Sequence, residues 1–383
     1  MIFPFSRKVS KKENGENMKK TIKATVLLVL VPLLLIPIPV HAEKEASGLS
    51  LSAKAAFLYE AQSQTALFAK NEDARMPMAS TTKIMTALAA LSALSLDDDF
   101  CIPKEAVGVE GSSAYYRVGE TVKIRDLFYA LLLQSANDAA AALAIASDGS
   151  LDAFAARMNR LADEMGLKDT HFANPHGLPA EGHYTTAREL AFIAAEALAQ
   201  PFLREVVRTK TYRSESSEQT RVFVNHNKLL SRNEHAIGVK TGFTKASGRC
   251  LVGAAEGEGM TLISVTLCAP DDWTDHEALW KYAFDTFSLK TYAEAGAFLA
   301  NAPVMGSYLP YVTVSNREPV RLLVKKSDPP IELHAQIDPF PTPAPIDADT
   351  ALGYLVLTRN GKAILRIPLY PAHSIPKVKI SKK

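Results

Sequence analysis

Apolar residues along this chain change their spacing twice, and the changes divide it into stretches of different structure. The runs Ala55-Ala56-Phe57-Leu58-Tyr59 and Ala66-Leu67-Phe68-Ala69 flank a polar turn and predict two paired strands. From Ser80 to about Leu94, apolar residues at Ile84, Met85, Leu88 and Leu91 follow helical spacing. Further helices are expected over 124–134, 138–146, 151–166 and 186–198, separated by Gly-rich or polar breaks. Residues 208–236 are polar and read as a loop-bearing rim. Strands return over 238–241, 250–255 and 262–268, with a helix near 276–287. Strands, then helices, then strands predict an α+β domain in which one antiparallel sheet contains both ends of the domain and carries a helical cluster.

From about residue 288 the pattern shortens to strand-like runs at 311–314, 320–324, 331–335, 352–358 and 363–369, which predicts a second, all-β domain. Asn360-Gly361 between the last two runs is a strong hairpin signal, because both turn positions tolerate positive φ. The last residues, 372–383, are too few and too basic to form an amphipathic helix with an apolar face, so no C-terminal membrane anchor is read there and membrane association stays open.

At the other end, Lys19-Lys20 and Lys23 precede an apolar run over 24–40 and the small-residue pattern Val40-His41-Ala42. This reads as a secretory signal cleaved after Ala42, with the prolines at 32, 37 and 39 arguing against a retained span. The expected organisation is therefore 1–42 extension and signal, 43–287 first domain, 288–374 β-sandwich and 375–383 basic tail. A composition of 47% hydrophobic and 22% charged residues is that of globular protein, and a formal charge of +2 provides no basic field for nucleic acid. Cys101, Cys250 and Cys268 are an odd number for an exported protein and read as buried free thiols.

Three motifs carry the chemistry: Ser80-Thr81-Thr82-Lys83, Ser135-Ala136-Asn137 and Lys240-Thr241-Gly242. Residues three apart on a helix share a face, so the Lys83 amine reaches the Ser80 hydroxyl. A serine at a helix start meets unpaired N–H groups and the positive end of the dipole, which favour an oxyanion and disfavour a protonated lysine. Apolar surroundings and a second cation at Lys240 would lower the Lys83 pKa toward that of a general base. Two other matches, Ser374-Ile375-Pro376-Lys377 and Ser231-Arg232-Asn233, lie in polar or Pro-containing stretches and read as decoys. His171, His176 and His183 lack compact ligand spacing and read as structural, and Asp97-Asp98-Asp99 reads as a solvated turn. No metal or other cofactor is expected.

With these motifs in order, the chain resembles the D-alanyl-D-alanine carboxypeptidases, the low-molecular-mass penicillin-binding members of the penicillin-recognising serine enzymes. The likeness extends to Gly111-Ser112-Ser113, Val118-Gly119-Glu120, Phe172-Ala173-Asn174-Pro175-His176-Gly177-Leu178, Tyr184-Thr185-Thr186-Ala187 and Phe243-Thr244, and covers roughly residues 45–290. It implies a serine β-lactamase/transpeptidase-like catalytic domain followed by a small β-sandwich. The implied substrate is a peptidoglycan stem pentapeptide, with β-lactams as covalent inhibitors, in the bacterial cell envelope. The implied roles are Ser80 as nucleophile, Lys83 as proton acceptor and Ser135 as proton relay. Asn137, Lys240, Thr241 and Gly242 would hold the substrate, and the backbone N–H groups of Ser80 and Phe243 would form the oxyanion hole. A serine β-lactamase and a non-catalytic β-lactam-sensing or wall-binding module are the alternatives. No Glu-x-x-Leu-Asn segment lies between the second and third motifs to direct a deacylating water in the β-lactamase manner.

Overall fold

The computed structural model describes residues 48–214 and 219–378, in two compact units: 48–256 with 261–280, and 257–260 with 281–378. The proposed signal and most of the basic tail lie outside the described residues.

In the first unit, β1 (Ala55–Glu60) and β2 (Thr65–Lys70) pair antiparallel as expected. Short strands β3 (Asp99–Cys101) and β4 (Thr121–Lys123) form a hairpin too small to give a periodic signal. Another small hairpin, β5 (Thr211–Arg213) with β6 (Val222–Val224), stands in the polar stretch read as a rim. β7 (Ala236–Thr244), β8 (Gly248–Gly257) and β9 (Met260–Leu267) complete a five-stranded sheet of order β2-β1-β9-β8-β7. β1 pairs with β9 from Ala55 opposite Leu267 to Glu60 opposite Leu262, so both ends of the unit meet in that sheet. β1 is buried along its whole length, which is why its sequence is a continuous apolar run rather than an alternation. Its terminal Glu60 is buried too and accepts the N–H groups of Gln62, Ser63 and Thr261.

The helical cluster contains α1 (Lys83–Leu91), α2 (Ile124–Leu133), α3 (Asn137–Asp148), α4 (Leu151–Glu164), α5 (Ala187–Ala199), α6 (Pro201–Arg208) and the short α7 (Leu229–Arg232). α3 is the interior helix, buried from Asn137 through Ala144, and its alanines allow α1, α2 and α4 to pack close to it. Gly149, in the left-handed conformation, ends α3, and Ser150 Oγ accepts the Ala153 N–H to start α4. α6 was absent from the expected pattern, although Pro201 at its first turn and buried Leu203, Val206 and Val207 carry the signal. α8 (Asp272–Thr286) places His276 and Trp280 against the sheet, where both side chains bond Ser264 Oγ, at 2.7 and 2.9 Å.

The helix expected from Ser80 is instead a 3-10 turn, Ala79–Thr82, that leads into α1. Thr81 and Thr82 turn their hydroxyls back onto Met78 O (2.6 Å) and Ala79 O (2.8 Å), tightening the backbone there.

The second unit is all-β. β10 (Phe287–Ala293), β11 (Leu299–Met305), β12 (Tyr311–Ser315), β13 (Val320–Lys325), β14 (Glu332–Ile337), β15 (Thr342–Pro343), β16 (Gly353–Arg359) and β17 (Lys362–Pro371) form a two-stranded and a six-stranded sheet. One apolar core draws Val320 from the smaller sheet together with Val314, Leu355, Leu357 and Leu369 from the larger. Asn360 and Gly361 both have positive φ, 51° and 72°, as the β16–β17 hairpin turn requires.

All three cysteines are free, but the expectation of burial holds only for Cys250; Cys268 is half-buried and Cys101 exposed. Burial pushes the Cys250 thiol up to about 11, which leaves it unreactive.

Candidate active site

The first motif is built by backbone strain and close approach. Ala79 has φ +50°, and its carbonyl occupies the space a side chain at Gly177 would need: a Cβ there would stand 2.0 Å from Ala79 O. Only glycine, itself at φ +88°, fits. In the 3-10 turn that follows, side chains three apart eclipse, so the Lys83 amine lies over Ser80, with Nζ 3.0 Å from Oγ.

Lys83 is fully buried, and its other two hydrogen bonds are to neutral oxygens: Asn137 Oδ1 at 2.6 Å and His176 O at 2.5 Å. Among the described residues no carboxylate bonds it. Burial therefore drives the Lys83 pKa well below its ordinary value, the positive charge of Lys240 lowers it further, and the more distant Asp138 opposes the shift. Nζ is thus held by Asn137 and His176 while it donates to Ser80 Oγ.

The second motif lies at the α2–α3 junction. Ser135 is buried at φ +62°, a conformation that costs a non-glycine residue about 1 kcal/mol or more and turns the chain from one helix into the next. Asn137 does not cap α3 with its side chain; Nδ2 donates to Glu110 O while Oδ1 accepts from Lys83. The Asn137 N–H donates to Ser112 O at 2.7 Å, so the loop before α2 holds this residue at two points.

The third motif lies on β7, at the edge of the sheet. Gly242 abuts the Ser80 turn, where an added Cβ would be 3.1 Å from Met78 O, Ser80 N and Thr81 N. Phe243 follows with its ring exposed. Lys240 is buried with Nζ 3.0 Å from Thr241 O, and burial lowers its pKa to about 7. The structure thus joins the first motif directly to the second through Lys83–Asn137 and to the third through Ser80–Gly242.

The decoys remain apart. Ser374 Oγ accepts the Ala348 N–H in the second unit. Ser231 Oγ donates to Lys228 O, and Arg232 pairs with Glu277. His183 is structural: Thr82 Oγ1 donates to Ala79 O and so accepts from His183 Nε2, whose ring then accepts the Ala173 N–H at Nδ1. Burial holds both His176 and His183 at about 4. His171 Nδ1 bonds Gly182 O, and Asp97 and Asp99 pair with Arg125 and Lys123 at the surface. Sequence reasoning missed the backbone acceptors on His176, Glu110 and Ser112, because a carbonyl's role carries no residue signature. It also missed Asp138, a buried carboxylate that accepts from Ser113 Oγ and from the N–H groups of Ala114 and Tyr116.

A family model described as D-alanyl-D-alanine carboxypeptidase, peptidase S11, matches residues 41–271. The D-alanyl-D-alanine carboxypeptidase DacF of Bacillus subtilis (strain 168) is 29% identical over 362 residues, 91% of this chain and 93% of that protein. That of Streptomyces sp. (strain K15) is 37% identical over 241 residues, covering 57% of this chain and 83% of the other. Among solved structures, penicillin binding protein 5 from Haemophilus influenzae superposes with a TM-score of 0.73 at 25% identity, covering 86% of this chain and 99% of its own. The fold likeness thus extends through both units, and the chain belongs to the peptidase S11 family of D-alanyl-D-alanine carboxypeptidases, serine-type hydrolases.

Proposed function

We propose that this enzyme removes the terminal D-alanine from peptidoglycan stem pentapeptides through an acyl-enzyme on Ser80, and that penicillins trap the same serine. The observation that carries the reading is the buried Lys83 amine, held by two carbonyl oxygens and directed at Ser80 Oγ. Ser80 Oγ attacks the carbonyl carbon between the two D-alanines as its proton passes to Lys83 Nζ. The backbone N–H groups of Ser80 and Phe243 receive the oxyanion, each such donor contributing about 3 kcal/mol. The C–N bond then breaks as the proton is relayed through Ser135 to the leaving amine. Water, deprotonated by Lys83, cleaves the ester and returns the proton. Asn137 holds the substrate amide, Lys240 and Thr241 receive the terminal carboxylate, and Gly242 lets the peptide approach the edge strand closely.

The apolar run over 24–40 and the cleavage pattern at Ala42 support action outside the cytoplasmic membrane. Intact-mass measurement after penicillin treatment, with D-alanine release from a stem pentapeptide on the same sample, tests the reading. One covalent adduct on Ser80 and release of D-alanine are expected; an unlabelled Ser80 would overturn it.

A further inference from the structure

Arg221, just before β6 in the polar rim, makes an unusual set of bonds. Its guanidinium forms a buried two-point pair with Glu120, Nη2 reaching Oε2 at 2.8 Å. Backbone carbonyls take the other bonds: Nε to Ala114 O at 2.9 Å, Nη2 to Tyr115 O at 3.1 Å and, in its own stretch of chain, Nη1 to Gln219 O at 3.4 Å. The same group stands 4.5 Å over the Tyr116 ring. Apart from Gln219, these partners all lie on the segment that runs from Glu110 toward α2. Earlier residues of that segment, Glu110 and Ser112, are the ones whose carbonyls hold the Asn137 side chain and N–H.

Besides Arg221, the segment is held by the burial of Ala114 and Tyr116 and by Gln134 Nε2, which donates to Ser113 O at 3.3 Å, but its backbone has no ladder of its own. It contains no regular element between the short 3-10 helix Lys104–Ala106 and β4, and Tyr115 has φ +59° with its ring exposed. A bulky residue holds that conformation only where the surroundings over-determine it. Asp138 supplies one side of the restraint by accepting the Ala114 and Tyr116 N–H groups, and Arg221 supplies the other through the Ala114 and Tyr115 carbonyls. Arginine suits the position because its planar fork serves a carboxylate and two carbonyls together, which an ammonium at that distance does not.

We infer that Arg221 is a positioning residue for the reaction: by clamping the 110–116 loop it fixes Asn137, and through Asn137 Oδ1 the Lys83 amine, in the orientation that acylates Ser80. This rests on the acyl-enzyme reading above.

The test is a double-mutant cycle in acylation kinetics on the full-length enzyme. Arg221→Ala and Arg221→Lys are each made in the wild type and in Asn137→Ala, and acylation by penicillin is followed to completion. Labelling of wild-type Ser80 comes first; its absence would sink the parent reading rather than this one. With labelling in hand, Arg221→Ala should acylate about tenfold to a hundredfold more slowly at saturating penicillin, as a misplacement near 1 Å does, while reaching the same end point per folded molecule. Arg221→Lys, which keeps the charge opposite Glu120 and the fold, should recover only part of that rate. In the Asn137→Ala background the Arg221 changes should add little, because they act through a side chain already removed. Equal slowing in both backgrounds, an unchanged rate constant with fewer active molecules, or full rescue by lysine would each overturn the inference.

Discussion

Two copies of the same tetrad, Ser-x-x-Lys, stand in this protein under opposite conditions. Ser80 and Lys83 share a 3-10 turn, where positions three apart eclipse, and Lys83 is wholly buried among carbonyl oxygens. Ser374 and Lys377 flank Ile375 in a bridge to Ile346, with Pro376 between, and both are exposed to water. Extended backbone sends residues three apart to opposite faces. Water keeps the second lysine's charge solvated, whereas the first lies where a charge is costly and the distant Asp138 offsets it only in part. The residue types are therefore only raw material; turn geometry and desolvation set Ser80 and Lys83 apart from Ser374 and Lys377.

That contrast can be broken in several places. Ser80→Ala should abolish both penicillin labelling and D-alanine release, and labelling that persists would mean another serine is acylated. Lys83→Ala should leave noncovalent binding while slowing acylation by about a hundredfold to ten-thousandfold, the usual contribution of a general base, as stopped-flow acylation would register. Lys240→Gln should weaken binding of substrates with a terminal carboxylate. It should also move the acidic limb of the acylation profile to higher pH, since Lys83 without its cationic neighbour holds its proton longer. A limb that stays in place would disconnect the two lysines.

His183 extends the comparison to stability. Its ring stays neutral in the folded protein down to about 4, while in the unfolded chain it takes a proton near 6.5. The folded state therefore binds fewer protons over that window, and stability should fall as pH drops from about 6.5 to 4, by roughly a few kcal/mol from this residue. Denaturant midpoints of wild type and His183→Gln should converge in that window; parallel curves would remove the histidine from the account. The smallest effect belongs to the second tetrad. Ser374→Ala and Lys377→Ala should leave acylation unchanged and cost under about 1 kcal/mol, so any loss of labelling there would undo the contrast itself.

The central strands were legible as continuous apolar runs and the main helices by their helical apolar spacing: α2, α4 and α5 lie within two residues of their expected bounds. The Asn360-Gly361 turn was legible for a different reason, since few residue pairs accept two positive φ values. The hairpins β3–β4 and β5–β6 were not, because three residues per strand are too few to establish a period. Ser80, Lys83, Asn137 and Lys240 were readable as side-chain chemistry, yet half of what holds Lys83 was not. Its contact with His176 is made by a peptide carbonyl, identical in every residue, whose aim is set by the turn at Gly177. The 3-10 form of the Ser80 turn escaped for the same reason: Thr81 and Thr82 read as ordinary helix residues until their hydroxyls are seen to bind backward.

The tight fit of Gly177 against Ala79 bears on how the enzyme can change under drug selection. Any larger residue at 177 would push the Ala79 carbonyl, and the serine next to it, out of place. On the acyl-enzyme reading proposed above, drug and natural peptide depend on that one turn alike, so escape by reshaping it would forfeit the enzyme's own reaction, and variation that separates the two would arise farther out, among residues touching only one of them.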